Sequence, residues 1–390
     1  MYDPPMSKRT KVFHIITKLE LGGAQQNTLY TVGHLDRSRF EPYLIANDEG
    51  ILVEEARKIP DLKTYFIPEM IREINPLTDF KGYQRIKAIL RENIKPGEKA
   101  IVHTHSSKAG ILGRWAAKAI GVPVIIHSIH GYAFHDFQHP FVRQAYITLE
   151  KITAPMTTKF IAVSQKNIET GVKEGIFARE RAVLIRSGID IARFRDVTVD
   201  KAALRRDLGV PVDAPLVGTV ANFKPQKAPL DFIRVAELVR KEVPEAKFVY
   251  YGDGELRGEV ESLIKKLKLE DTVILAGWRR DVPEILHCID VFLLTSLWEG
   301  LPRVLPQAMS AGKPSVATAV DGSPEAVKDG ENGYICEPRD VVAMAEKVVY
   351  LLKNPEIARR MGEKGRTMVD EWDIDLMVRQ QEELYDALLR

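Results

Sequence analysis

Cysteine is nearly missing from the chain: only Cys288 and Cys336 occur, without CxxC spacing and without a histidine cluster beside them. That scarcity excludes a disulfide framework and a thiolate zinc site, so two reduced thiols are expected. Long apolar runs are missing too. No stretch approaches the roughly twenty residues of a membrane-spanning helix, and MYDPPMSKRTKVFHII holds no segment of signal-peptide length. The protein is therefore expected to be cytoplasmic, neither secreted nor membrane-spanning. An excess of one charge is also lacking. With 56 basic and 54 acidic residues the formal net charge is +2, so no bulk attraction to nucleic acid follows and none is expected as a partner. The fingerprint GxGxxG does not follow the first strand, which argues against a dinucleotide enzyme.

What is present is a globular composition, 45% hydrophobic and 28% charged. A length of 390 residues exceeds what one core usually fills, so two domains are expected. Short β-branched runs alternate with amphipathic stretches. Strands are predicted at 11–17, 42–47, 100–105, 122–130, 158–164 and 182–189, then at 216–222, 247–254, 272–278, 291–296 and 314–320. Such alternation implies α/β architecture with parallel sheets covered on both faces. The polar stretch after residue 189 separates the halves, giving doubly wound domains at 1–192 and 193–372. Ligands of open parallel sheets bind beyond the carboxyl ends of the strands, so residues there carry the candidate chemistry.

LGGAQQN (21–27) follows the first strand, and Gly22 and Gly23 would let the backbone approach an anion at the start of the next helix. HTHSSKAGILGR sets His103 and His105 two residues apart on one strand face. This spacing suits a metal, but no third ligand is in sight. IHGYAFHDFQHPF adds His130, His135 and His139 on an aromatic loop. ANFKPQKAP places Lys224 and Lys227 where cations can bind a diphosphate. VFLLTSLWEGLP runs from a strand into Glu299, a glycine turn and a helix start.

Taken together, LGGAQ, HG at 130–131, ANFKPQKAP, GDGE at 252–255, AGW at 276–278, EGLPRVLPQAMSAGKPSVAT and DGSPEAVKDGENGY resemble, in order, the retaining GT-B glycosyltransferases of family 4. The resemblance implies two Rossmann-like domains facing across a cleft, with the final helix 373–390 crossing back onto the N-terminal domain. It implies sugar transfer from a nucleotide-diphosphate donor, UDP-sugar favoured. The site residues it implies divide by task. Glu299 would accept the donor sugar's hydroxyls, and backbone N–H groups of Gly300, Leu301, Arg303 and Val304 would meet sugar and phosphate. Lys227 would neutralise the diphosphate, Trp278 and Arg279 would hold the base, His130 would touch the sugar, and Gly22 and Gly23 would meet the phosphates. Fixed amides and lysines suit the charge that develops on the leaving group. No protein nucleophile is expected, because in this family the leaving phosphate is thought to take the acceptor's proton. DID at 373–375 reads as acids at a helix start rather than a metal motif, so no metal or other cofactor is expected.

Three departures stand out. Gln307 occupies the place of the family's second glutamate, so the ribose would meet an amide in place of a carboxylate. Pro306 precedes it, which predicts a late or bent helix start. Asn222 stands where the family has arginine, with Lys224 as a substitute cation. The acceptor, a glycan or lipid-linked sugar in cell-surface polysaccharide or lipopolysaccharide synthesis, would lie against the N-terminal domain. Basic and apolar residues mixed along 67–99 and 139–156 would suit peripheral contact with an anionic bilayer. The rival readings are a nucleotide-sugar epimerase of the same architecture and a non-catalytic nucleotide-sugar-binding protein.

Overall fold

A computed structural model describes residues 9–390. The segment 1–8, part of the N-terminus read as lacking a signal peptide, lies outside the described residues. The chain forms two units: Met1–Gly188 with Ile374–Arg390, and Ile189–Asp373. It passes between them at 188/189 and at 373/374, beside the sequence-read boundaries at 192/193 and 372/373.

Unit 1 holds β1 (Thr10–Ile15), β2 (Phe40–Ala46), β3 (Lys63–Phe66), β4 (Ala100–His105), β5 (Val124–Ile129), β6 (Lys159–Ala162) and β7 (Ala182–Leu184). They are parallel in the order 3-2-1-4-5-6-7. Because side chains alternate along a strand, Phe13, Ile15 and Val102 join a core with the helices Pro76–Asn93 and Ser107–Ala119. Val12, Ile101 and Ile126 pack instead with Ile374, Met377, Val378 and Tyr385 of the helix Ile374–Leu389. Each buried aliphatic there contributes roughly 1.5–3 kcal/mol, which fastens this helix to unit 1.

Unit 2 holds β8 (Leu216–Val220), β9 (Lys247–Tyr251), β10 (Val273–Gly277), β11 (Val291–Leu294), β12 (Ser315–Thr318) and β13 (Gly333–Cys336), in the parallel order 10-9-8-11-12-13. One continuous core, with Phe232, Phe248 and Leu293 fully buried, lies between the sheet and its helices. Gly252, in GDGE, has φ +142°, and a Cβ there would meet the Ala221 carbonyl oxygen at 1.8 Å. The loops after β8 and β9 can touch only through glycine.

Two strands are additions to the sequence reading. β3 (KTYF) and β13 (GYIC) span four residues each and are only partly buried, so they show neither the apolar run that marks the equally short β11 nor enough residues for a period of two.

Candidate active site

In each sheet the connections run one way from one strand and the other way from its neighbour. The loops diverge there and leave a crevice at the carboxyl ends. In unit 2 this switch point lies between β8 and β11. The loop after β8 is ANFKPQKAP and the loop after β11 is TSLWEGLP. Thr295 Oγ1 donates to the carbonyls of Lys227 (2.9 Å) and Ala228 (3.1 Å), and the Leu297 amide donates to the Gln226 carbonyl at 2.7 Å. These bonds hold the two loops together.

Glu299 is 8% exposed at the centre of this join. Its Oε1 accepts from the Lys227 ammonium and from the Ser296 hydroxyl at 2.7 Å, and Oε2 receives a long bond from Gln226 Nε2 at 3.4 Å. Its backbone N–H donates to Asp321 Oδ2 at 2.6 Å. Asp321, at φ +42°, holds a left-handed backbone conformation to reach it. Sequence reasoning assigned Lys227 to a diphosphate and Glu299 to a sugar; the structure joins them as an ion pair. A carboxylate offers about four acceptor sites and an ammonium three donors, so both keep capacity toward a ligand. Ser296 lies in the same loop as Glu299 and was passed over there, whereas Gln226 arrives through the pairing of β8 with β11 and Asp321 through that of β11 with β12.

The amides of Gly300, Leu301 and Val304 have no acceptor among the described residues. The helix they enter spans Val304–Ser310 and carries Pro306 in its first turn. A late or bent start is therefore not needed: the N–H that proline lacks is one a first turn leaves unpaired in any case. Gln307 follows in the same helix, with its carboxamide unpartnered among the described residues. Burial brings the Arg303 guanidinium down to about 10. Asn222 Oδ1 is buried without a hydrogen bond, and Lys224 is half-buried beside it in sequence. In the loop after β10, Trp278 is 58% exposed. The Arg279 guanidinium is committed to Asp281 (2.9 and 2.7 Å) and Asp207 (3.1 Å), which raise its pKa.

In unit 1 the switch point lies between β1 and β4. Gly22 caps the helix Gly23–His34, and neither glycine has positive φ. A Cβ on Gly22 would meet only the Gln25 side-chain oxygen, at 2.5 Å, and that flexible group could move. The value of these glycines is a bare backbone rather than a special conformation.

The third histidine absent from the sequence reading is His14, which pairs in register with His103 across β1 and β4. One nitrogen from each of His14, His103 and His105 lies within 4.8 Å of the others. These rings form a hydrogen-bonded file. His103 Nε2 meets Ser128 Oγ at 2.7 Å and its Nδ1 meets Tyr385 Oη at 2.6 Å. Tyr385 Oη lies 3.4 Å from His14 Nε2, His14 Nδ1 lies 2.9 Å from His105 Nε2, and His105 Nδ1 lies 3.0 Å from His130 Nε2. Burial lowers the pKa of His14 to about 3 and holds His103 and His105 well below the ordinary value, so these three rings are neutral. His135 lies in the same loop as His130, its pKa lowered by partial burial, and His139 precedes the helix Pro140–Thr153.

Two doubly wound parallel sheets, each with a polar loop pair at its switch point, define the GT-B architecture. The description of Glycosyl transferases group 1 matches residues 200–368 and that of Glycosyltransferase Family 4 matches residues 21–193. The chain is 31% identical over 345 residues to the Escherichia coli UDP-Gal:alpha-D-GlcNAc-diphosphoundecaprenol alpha-1,3-galactosyltransferase, covering 87% of each chain. Its fold is that of Anabaena HepE, solved with UDP-glucose (TM-score 0.79, 20% identity, 97% of this chain and 100% of that one). It is also that of WaaG, a glycosyltransferase involved in lipopolysaccharide biosynthesis (TM-score 0.78, 16% identity, 96% and 99%). The chain belongs to glycosyltransferase family 4, and it is a glycosyltransferase.

Proposed function

We propose that this enzyme transfers a sugar, with retention and without a metal, from a UDP-sugar to a lipid-linked or glycan acceptor in cell-surface polysaccharide or lipopolysaccharide synthesis. The observation that carries this reading is the Lys227–Glu299 pair at the unit 2 switch point. Glu299 accepts sugar hydroxyls and keeps the sugar from drifting. Lys227 and the amides of Gly300, Leu301 and Val304 face the phosphates and stabilise the negative charge that grows as the glycosidic bond opens. The leaving phosphate takes the acceptor's proton. Gln307 meets the ribose through a neutral hydrogen bond, and the exposed Trp278 ring serves the base better than the engaged Arg279. The Escherichia coli relative, named for a UDP-sugar and a diphosphoundecaprenol acceptor, and the UDP-glucose complex of Anabaena HepE support the choice of donor and acceptor.

Melting the protein with UDP-, GDP- and ADP-sugars in the presence of a chelator tests the donor and the metal together. At about 100 times its dissociation constant a UDP-sugar should add about 2.7 kcal/mol of stability. Stabilisation by another nucleotide series alone, or only without chelator, would overturn the corresponding part of the proposal.

Acceptors held in a bilayer require the enzyme to reach one. The helices Pro76–Asn93 and Pro140–Thr153 flank Ser107–Ala119 and carry Leu77 (79% exposed), Phe80 (60%) and Phe141 (82%). We infer that these side chains enter the headgroup region. Co-flotation with anionic vesicles should fall roughly tenfold for each of Leu77→Asp and Phe141→Asp, since burying one such side chain is worth about 1.5–3 kcal/mol. Unchanged flotation of both variants would remove the membrane contact from these helices.

A further inference from the structure

At the end of unit 2 opposite the Lys227–Glu299 pair, an open cleft of about 620 Å³ lies against Pro215, Asp290 and Pro314, the residues that precede β8, β11 and β12. Every residue that lines it belongs to unit 2. Four cations, Lys201, Arg205, Lys313 and Arg359, meet two carboxylates there, Asp213 and Asp290. The cations differ in what they have left to give. Arg205 is buried and donates to the carbonyls of Val212, Ala214 and Cys288 and to Asp290, at 2.7 to 3.2 Å. Arg359 is shared between Glu356 and Glu363. Lys201, exposed at the start of the helix Lys201–Asp207, has no hydrogen-bond or ion-pair partner among the described residues.

Lys313 is half-buried, and its Nζ donates to the His287 carbonyl at 3.0 Å. It pairs with no carboxylate among the described residues. Burial first, and then the charge of Lys201, bring its pKa down to about 8. At pH 7.5 about a quarter of such amines are neutral, against about one in a thousand ordinary lysines. A neutral amine gives one N–H to the His287 carbonyl and keeps its lone pair for an electrophile in the cleft.

We propose that Lys313 is an acylation site, taking the acyl group of a small acyl phosphate whose phosphate is held by Lys201. The Nζ lone pair attacks the acyl carbon, a C–N bond forms, the C–O bond to phosphate breaks, and the proton released from nitrogen leaves with the phosphate. The amide formed retains one N–H for the His287 carbonyl, so the product suits the fold that holds the amine. It also removes a charge that burial disfavours. None of this depends on how the donor sugar is bound.

The test treats the full-length protein with acetyl phosphate at pH 7.5 and follows acetylation lysine by lysine by peptide mass spectrometry. Lys313 should react at least about tenfold faster than Lys265 and Lys266, both exposed on the helix Arg257–Lys266. Its neutral fraction alone gives a larger factor, and the lower nucleophilicity of a weaker base takes part of that back. Lys201→Ala should slow Lys313 about threefold, the worth of one exposed charge contact, and leave Lys265 and Lys266 unchanged. With acetic anhydride, which carries no charge, the same variant should lose less. A Lys313 that reacts no faster than Lys265 and Lys266 overturns the site. A loss in Lys201→Ala that is equal for the two reagents overturns the phosphate contact, because Lys201 would then act only on the basicity of the amine.

Discussion

Replacing Glu299 by alanine is expected to lower transfer roughly 10²–10³-fold and to destabilise unit 2 by about 3 kcal/mol. The two effects have separate causes. Turnover falls because the sugar has no charged acceptor left to hold it; removing one such hydrogen-bonding group from a dry site costs roughly 10²–10³ in kcat. Stability is lost because Lys227, only 17% exposed in its side chain, is left without its counter-ion, and breaking one partner of a buried pair costs about 3–5 kcal/mol. Lys227→Ala should cost a similar amount. The double variant should be more stable than the sum of the two losses, because it buries no lone charge. Urea unfolding of the four proteins closes the cycle, and additive losses would mean that the pair does not couple the two loops. Ligand-induced shifts in Glu299→Ala must then be read as increments over its own lowered baseline.

Lowering the pH from 7.5 to 5 is expected to open unit 1 before unit 2. Burial holds His14, His103, His105 and His127 below their ordinary pKa, His14 at about 3. In the unfolded chain the same rings titrate near 6.5. Between those limits the unfolded state binds protons that the folded state refuses, so the stability is complete above pH 6.5 and falls as the pH drops toward 3. At pH 5 His14 alone gives up about 2 kcal/mol, and His103, His105 and His127 add losses of the same sign. In unit 2, His287 is the histidine whose pKa burial lowers. Pulse proteolysis in urea, with fragments assigned to each unit, distinguishes them; a unit 1 midpoint that does not move between the two pH values refutes the account.

The parallel α/β character was legible because strands buried on both faces read as apolar runs, as FVYY and VFLL do. β3 and β13 were not legible: KTYF and GYIC are as long as VFLL, but neither is a wholly apolar run and four residues are too few to show alternation instead. The candidate residues divide along the same line. Glu299 and Lys227 each announced themselves by position after a strand, yet their pairing depends on β8 lying beside β11, which no local stretch of sequence records. His103 and His105 were visible as an i, i+2 pair. Their companions His14 and Tyr385 were not, because one arrives through strand register and the other from a helix 282 residues further along the chain than His103. Pro306 looked like a disturbance because its place in the helix turns on where the first turn begins.

The two crossings of the chain between units have a bearing on synthesis. Unit 2 is one continuous segment, and it leaves the ribosome whole while unit 1 still lacks the helix Ile374–Leu389. Until that helix emerges, the sheet face bearing Val12, Ile101 and Ile126 has no cover, and His14 and His103 have no phenol between them. The half of the enzyme that begins first is thus the half that finishes last, and it waits through the translation of its neighbour with an apolar face exposed, the interval in which a nascent chain has most need of a chaperone.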